Sequence, residues 1–193
     1  MRIMIDLESW STEGNASIRS IGACNIDNVD SMDEQEFYLN VETDLSAQDG
    51  RYHHSKSTRE WWEKQPEDTQ EMLAHDKVSP FEAMVRLSQW MLDIGFDPFN
   101  KDHEVWANGI TFDITVLEHM FRTEEVAMPW GYGQMRDYRT IRVFYEDKGV
   151  RYDILLDDEG HLIVNKIEHH ALEDAKYQSL CLIAMEDAFN YNT

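Results

Sequence analysis

The first ten residues, Met1-Arg2-Ile3-Met4-Ile5-Asp6-Leu7-Glu8-Ser9-Trp10, place two acidic residues in an otherwise apolar strand. Side chains alternate between the faces of a strand with a period of two, so Asp6 and Glu8 point to one face and the aliphatic residues between them to the other. Taking two carboxylates out of water is costly unless a positive charge neutralises them. No lysine stands nearby in the sequence, so the pattern indicates a bound divalent cation.

The composition predicts a single folded domain over residues 1–193. Hydrophobic residues make up 42% of the chain, which supports a core without disulfide bonds. Cys24 and Cys181 lie in apolar stretches and indicate buried free thiols in a reducing cytoplasm. We expect no signal peptide, because the first strand already carries two acids, and no apolar run approaches the roughly 20 residues of a membrane span. The expectation is therefore a cytoplasmic protein of a bacterial cell or a phage-infected host, with no membrane partner.

The chain is strongly acidic, with a formal net charge of -21 from 38 acidic and 17 basic residues. Such a protein repels nucleic acid at long range. A polyanionic substrate would need local basic groups or metal ions to offset this repulsion. The alternative is that the acids form a solvated surface, or a surface that itself mimics nucleic acid.

The order of predicted elements is typical of a mixed sheet with helices packed on it. An antiparallel meander is expected from strands at 2–9, 17–26 and 36–41, with a polar turn over 27–34. Another strand is expected at 104–107, and a small hairpin from strands 151–156 and 161–165 around 157–160. Helices are predicted at 57–64, 67–75, 80–94, 113–121, 138–145 and 170–190.

One helix start is specified by its capping residues. Ser79 is expected as the N-cap, Pro80 as the first helical residue and Glu82 as the partner of a capping box. Gly95 is the expected C-terminal cap of the same helix.

Two further acids stand near helix starts. Asp113 opens a helix directly after residues 105–112, and Asp174 lies one turn into the last helix. Alone, each reads as a helix-favouring or surface acid. Together with Asp6 and Glu8 they make an all-oxygen ligand set, which Mg²⁺ and Mn²⁺ prefer. Four carboxylates can hold two ions about 3.5–4 Å apart, the arrangement used to attack a phosphodiester.

Five segments carry a family resemblance. Three of them resemble the motifs of the DEDD superfamily of 3′–5′ exonucleases: Asp6-Leu7-Glu8, Asn108-Gly109-Ile110-Thr111-Phe112-Asp113 and His169-His170-Ala171-Leu172-Glu173-Asp174-Ala175. The last is similar to the His-x-Ala-Leu-x-Asp pattern of the histidine-containing (DEDDh) branch. Trp61-Trp62-Glu63-Lys64-Gln65 and Arg136-Asp137-Tyr138-Arg139-Thr140 are similar to segments of the ribonuclease T-like group, the small stand-alone exonucleases of phages and bacteria.

The resemblance implies an α/β ribonuclease H-like fold, with a mixed five-stranded sheet flanked by helices. It implies two Mg²⁺ or Mn²⁺ ions on Asp6, Glu8, Asp113 and Asp174, with His169 as the general base. The implied reaction removes nucleotides from the 3′ end of single-stranded or overhanging DNA or RNA and releases nucleoside 5′-monophosphates. Ribonuclease T-like relatives form homodimers, so a homodimer is a further expectation.

The position of the histidine can also be examined from the helix itself. His170 precedes Asp174 by four residues and would share its helix face, whereas His169 lies at or just outside the helix start. A residue beyond the helix end can swing more freely toward the metals. The helix alone leaves both histidines open, but the spacing of the family motif favours His169, so we assign the base to His169 and expect His170 to be its exposed neighbour.

Five residues are candidates for substrate binding: Trp10, Trp61, Asn108, Arg136 and Arg139. The tryptophans can stack on a base or pack in the core, and only one of the adjacent pair is expected to face the site. The arginines can contact phosphate or form salt bridges. The asparagine can bind near the substrate or simply end its strand.

Two other classes of function compete with an exonuclease. A non-catalytic binding protein on the same fold would not need all four acids and a histidine. An acidic decoy that mimics nucleic acid would need its acids in exposed rows. The sequence does not distinguish DNA from RNA, and the acidic segment 147–168 follows from no family pattern.

Overall fold

Residues 2–9, which carry Asp6 and Glu8, form an inner strand of the sheet in the computed structural model. The structure describes residues 1–28, 35–44, 50–151, 156, 160–165 and 167–191. The described strands are β1 (Arg2–Ser9), β2 (Ile18–Asn25), β3 (Glu36–Val41), β4 (Lys77–Val78), β5 (Glu104–Ala107) and β6 (Met135–Asp137). They form one sheet in the order β4-β3-β2-β1-β5-β6. β2 pairs antiparallel with β1 and β3, and the other pairs are parallel. The predicted mixed sheet and its antiparallel meander are confirmed.

The described sheet has six strands where five were expected. β4 and β6 span two and three residues, which is too short to show an alternating pattern. Of the predicted hairpin, Leu156 and Leu162 form an antiparallel bridge. The other residues 152–155 and 157–159 of that prediction, like residues 29–34 of the predicted turn, lie outside the described part of the chain.

Six helices occupy the predicted positions: α1 (Lys56–Trp62), α2 (Glu67–Met72), α3 (Pro80–Asp93), α4 (Asp113–Thr123), α5 (Tyr138–Asp147) and α6 (Ala171–Tyr191). Ser79 is the N-cap of α3 as expected, because its side chain accepts a hydrogen bond from the Glu82 backbone N–H. The Glu82 carboxylate pairs with Arg86, so only this half of the predicted capping box is present. Gly95 follows the helix with a φ of 89°, in the left-handed region. None of the helices in the described ranges is both long and apolar enough to cross a bilayer.

The sheet has an apolar core on each face, and the alternation along β1 separates them. Ile3, Ile5 and Leu7 pack in one core with residues of α3 and α4. Met4 packs in the other core, whose members include Trp106 and residues of α5 and α6. Asp6 and Glu8 continue the Met4 side of the strand, so the predicted orientation of the two acids is confirmed. Cys24 and Cys181 are free and buried in this second core, also as predicted.

Helix α6 approaches the sheet very closely at one glycine. Gly22 on β2 is the register partner of Asp6 on β1. A Cβ at Gly22 would lie 2.1 Å from both the carbonyl carbon of Ala171 and the backbone nitrogen of Leu172. Only glycine leaves room for the first turn of α6 at this place. This contact determines how near the start of α6 comes to the two acids of β1.

Replacing Gly22 by alanine is expected to push the start of α6 away from the sheet. Because the neighbouring atoms are backbone and cannot rotate aside, we expect Gly22→Ala to lower the free energy of unfolding by about 1–3 kcal/mol. Urea unfolding measures this change. Gly133→Ala is the matched control, since no atom lies within 4 Å of a Cβ there. Equal stability of the two variants would contradict the close approach.

Candidate active site

Three carboxylates meet where β1 faces the first turn of α6. One oxygen from each of Asp6, Glu8 and Asp174 lies within 4.8 Å of the other two. The pleat of β1 presents Asp6 and Glu8 on the same side, and α6 brings Asp174 over them. An all-carboxylate set at this spacing has the donor chemistry of a site for a hard divalent cation.

Asp113 completes the acidic group from the other side of β1. It is the first residue of α4 and is only 6% exposed. Its negative charge helps to raise the pKa values of both Asp6 and Glu8, so the three side chains interact electrostatically. Burial raises the pKa of Asp113 itself to about 7, although backbone N–H groups, including that of Leu7, and the Arg139 guanidinium oppose the shift.

The whole acidic cluster (Asp6, Glu8, Asp113 and Asp174) has raised pKa values, because the carboxylates are partly removed from water and repel one another. Burial is the main cause for Glu8, whose pKa rises to about 8, and the charges of Asp174 and Asp113 add to it. Burial followed by the neighbouring acids raises the pKa of Asp6 well above its usual range. The pKa of Asp174 is raised by burial as well. This arrangement favours any positive charge that can enter.

Two amides hold the acidic cluster in place. Gln178 donates to Asp6 at 2.9 Å, and Asn165 donates to Asp174 at 2.6 Å. Each amide oxygen is buried and has no hydrogen-bond partner among the described residues. These free acceptors suit a site that takes up an ion with its bound water.

His169 and His170 lie in different surroundings. The His169 charge lowers the raised pKa of Asp174, and the His169 backbone adopts a left-handed φ of 62°. Residues with side chains rarely adopt this conformation, and those that do concentrate at functional sites. His170 stacks on Tyr38 with ring centroids 4.3 Å apart, and burial lowers its pKa. The expectation of an exposed His170 was therefore wrong, because the ring is half-buried against β3.

The adjacent tryptophans of α1 differ in exposure, and only Trp61 faces the solvent. Trp61 is 41% exposed, and its ring lies 4.8 Å from that of His169. Trp62 is buried and donates from Nε1 to the backbone oxygen of Ser9 at 2.8 Å. A cleft of about 340 Å³ opens beside Trp61 and is lined by Glu8, Ser9, Ser11, Thr12, Ser57, Thr58, Trp61 and Trp62. An exposed ring and a row of hydroxyl groups thus border the acidic cluster.

The other predicted substrate contacts are divided between two ends of β5. Arg139 donates to the backbone oxygen of Asn108 at 2.9 Å, and its charge acts on Asp113. Arg136 instead binds Glu104 at 2.9 Å. Glu104 and Asn108 lie at opposite ends of β5, about 13 Å apart at the usual rise of a strand. The structure therefore brings Arg139 and Asn108 to the acidic cluster but leaves Arg136 at the far end.

Trp10 packs against Trp62 with ring centroids 6.4 Å apart, and the guanidinium of Arg19 lies over both rings. Trp10 is only partly buried and belongs to neither apolar core of the described residues, so its substrate-binding role stays a prediction. Burial lowers the pKa of Arg19 to about 10, although the nearby Glu8 carboxylate opposes the shift.

Three residues of the site were missed from the sequence: Arg19, Asn165 and Gln178. Gln178 follows Asp174 by four residues on α6, and this helical spacing was a usable signal. Asn165 lies outside the described helices and strands, so no regular spacing could have predicted its contact. The orientation of Arg19 depends on an irregularity in the pairing of β2 with β1, which the sequence does not reveal.

Comparison with known proteins agrees with this geometry. The profile of the Rv2179c-like 3′–5′ exoribonuclease domain matches residues 1–185. No curated protein sequence matches the chain.

Solved structures share the fold at low sequence identity. The nuclease domain of 3′hExo, a DEDDh family member bound to rAMP, has a TM-score of 0.63 at 13% identity, over 97% of this chain and 92% of that one. Cell-death related nuclease 4 has a TM-score of 0.64 at 14% identity, over 97% of this chain and 64% of that one. Exonuclease I of E. coli, in complex with a 5cy-dT13 oligonucleotide, has a TM-score of 0.62 at 14% identity, over 98% of this chain and 42% of that one. The ribonuclease H-like fold is therefore confirmed.

The raised pKa values predict how the metal-free protein responds to pH. An acid whose folded-state pKa is raised contributes stability below its ordinary pKa and loses it as the pH rises through the raised value. We expect the metal-free protein to lose stability between the ordinary glutamate value of 4.5 and about 8. Thermal unfolding in EDTA and in Mn²⁺ should therefore show a metal-dependent increase in Tm that grows with pH, because Mn²⁺ binds the ionised cluster.

The matched variants separate the acidic cluster from the general surface charge. The double variant Asp6→Asn with Glu8→Gln should lose both the Mn²⁺-dependent increase in Tm and most of the pH dependence. Asp68→Asn with Glu71→Gln removes the same charge from exposed positions of α2 and should retain both. A Tm increase of equal size at every pH would contradict the assignment.

Proposed function

The chain belongs to the Rv2179c-like 3′–5′ exoribonuclease family and is a 3′–5′ exonuclease, and from that premise we propose that its substrate is RNA with a single-stranded or overhanging 3′ end. The reaction hydrolyses the terminal phosphodiester bond and releases a nucleoside 5′-monophosphate. The observation that carries the proposal is the convergence of Asp6, Glu8 and Asp174, joined by Asp113, beside a cleft lined with hydroxyl groups.

Asp6, Glu8, Asp113 and Asp174 are the proposed ligands of two Mg²⁺ or Mn²⁺ ions. Their donor set is all oxygen, and the raised pKa values of these acids describe a cluster that gains from added positive charge. When bound, such ions supply an acidified water and stabilise the leaving oxygen. Gln178 and Asn165 hold the Asp6 and Asp174 carboxylates in position.

His169 is the proposed general base, which accepts the proton of the attacking water. Imidazole suits this task near neutral pH. Its proximity to Asp174 and its left-handed backbone support the assignment, because they hold the residue outside α6 at the edge of the acidic cluster. His170 is stacked on Tyr38 and is therefore not available for the same role.

The terminal nucleotide is proposed to bind in the cleft. The exposed Trp61 ring offers a stacking surface for a base, and the serine and threonine hydroxyls of the cleft can meet the 2′-hydroxyl of ribose. Arg139 and Asn108 border the acidic cluster and are the proposed contacts to the neighbouring phosphate and sugar. Because the net charge is -21, binding should be confined to a few nucleotides at the end and should be sensitive to salt.

Replacing the ligands and the base tests the chemistry directly. On 5′-labelled single-stranded RNA with Mg²⁺ or Mn²⁺, the wild type should give a ladder that shortens from the 3′ end, faster than on DNA of the same sequence. Asp6→Asn and EDTA should each abolish the ladder. His169→Gln should lower kcat by about 100- to 10,000-fold, the usual contribution of a general base. His170→Gln is the matched control and should retain most of the activity.

Two results of this assay would refute the proposal. A folded wild type that shortens neither polymer with either metal would refute the reaction. A greater loss of kcat in His170→Gln than in His169→Gln would refute the choice of base.

Removing the stacking surface tests the binding of the terminal nucleotide. Trp61→Leu should raise KM about 5- to 150-fold, since base stacking on an aromatic side chain contributes about 1–3 kcal/mol. Tyr132→Leu is the control, because Tyr132 is 94% exposed and lies three residues before Met135, which pairs with Val105 near the Glu104 end of β5, away from the acidic cluster. Steady-state kinetics on the RNA oligomer gives both constants. An unchanged KM in Trp61→Leu would exclude stacking on this ring.

A further inference from the structure

A β-bulge turns one arginine toward the acidic cluster. Between β1 and β2, Glu8 pairs with Ser20 and Ser9 pairs with Ile18, so Arg19 is the additional residue of the bulge. Bulges commonly redirect a side chain beside an active site. Arg19 is only 7% exposed, and its charge acts on the Glu8 carboxylate and on Tyr38.

The guanidinium of Arg19 lies against two aromatic rings. Its central carbon lies 4.5 Å from the ring centroid of Trp10 and 4.2 Å from that of Trp62. Such contacts contribute about 0.5–2 kcal/mol each, most when they are desolvated. The two ring centroids are 6.4 Å apart and the rings are inclined at 62°, so the rings form a corner around the guanidinium and do not enclose both of its faces.

Two of the nitrogen atoms of the Arg19 guanidinium, Nε and Nη1, are buried and have no hydrogen-bond partner among the described residues. Leaving a buried donor unpaired costs about 1–3 kcal/mol. An aliphatic side chain would fill the same space without unpaired donors, so the buried guanidinium indicates a role beyond packing.

Trp62 contacts Arg19, the backbone beside Glu8, and the ring of His169. Trp62 Nε1 donates to the backbone oxygen of Ser9, the residue that follows Glu8. The Trp62 ring also lies 6.0 Å from the ring of His169, at nearly a right angle. A displacement of Trp62 would therefore change the aromatic surface that the His169 ring contacts.

We propose that Arg19 is a positioning residue, which holds Trp62 against the backbone of Ser9, beside Glu8, and against the His169 ring. The inference rests on the proposed function, because it assigns Arg19 to the same nuclease site. It requires the planar guanidinium and not merely a positive charge, since a compact ammonium group cannot lie flat against a ring in the same way.

The test compares Arg19→Met and Arg19→Lys with the wild type. Methionine keeps an unbranched side chain and removes the charge and the unpaired donors, whereas lysine keeps the charge and removes the plane. Arg86→Met and Arg86→Lys are the matched controls, because Arg86 is exposed on α3 and pairs only with Glu82 in the described ion pairs. Each variant is assayed on 5′-labelled single-stranded RNA with Mg²⁺, and its Tm and the NMR signals of the His169 ring are measured.

For Arg19→Met we expect at least a tenfold lower kcat, a KM within threefold of the wild type, an unchanged or higher Tm with Mg²⁺, and shifted His169 ring signals. Arg19→Lys should recover less than half of the lost kcat, and the Arg86 variants should match the wild type in every measurement. A lower Tm with a proportional loss of activity would make Arg19 a structural residue. An increase in KM alone would make it a substrate contact, and wild-type kcat would remove it from the site; each of these results overturns the inference.

The same experiment separates this inference from the proposed function. If the wild type does not shorten the RNA, the proposed function fails and the Arg19 variants have no activity to lose. If the wild type is active and Arg19→Met equals it, only the role of Arg19 fails.

Discussion

The fold has to hold four carboxylates together at a place that is partly closed to water. Burial and mutual repulsion raise the pKa values of Asp6, Glu8, Asp113 and Asp174, so the cluster opposes folding whenever it is ionised and unneutralised. The opposing free energy comes from the apolar cores on the two faces of the sheet. β1 can carry the acids because it is an inner strand with partners on both sides, so its backbone cannot move away from the repulsion.

The second requirement is the distance between α6 and the sheet. Gly22 has no side chain, so the backbone of Ala171 and Leu172 lies against β2 directly opposite the position of Asp6. This contact determines where Asp174 lies relative to β1. The left-handed backbone of His169 then allows the chain to turn into α6 just before the contact begins. One glycine and one unusual backbone conformation thus place residues from the two ends of the chain in the same site.

Much of this arrangement is contained in local sequence patterns. The period of a strand predicted the common face of Asp6 and Glu8, and helix capping predicted the start of α3 at Ser79. The resemblance of three motifs predicted the family that the profile match confirms. Patterns of this kind cannot predict Arg19, because its orientation depends on a bulge in the pairing with β1. The two arginines of the 136–140 segment also look equivalent in sequence. Only the structure shows that Arg139 contacts Asn108, beyond the carboxyl end of β5, and that Arg136 contacts Glu104, at the amino end.

The large negative charge admits two interpretations, and the geometry of the acids favours one. A decoy that mimics nucleic acid would need its carboxylates in exposed rows with ordinary pKa values. Asp113 and Glu8 are buried, Asp6, Glu8 and Asp174 converge within 4.8 Å, and amide groups orient two of them, which reduces their contact with any protein surface. A cluster built in this way serves to concentrate positive charge at one place. On the proposed function, the remaining surface acids would repel the part of a polyanionic substrate that lies outside the site, which favours contacts to a few terminal nucleotides over long ones.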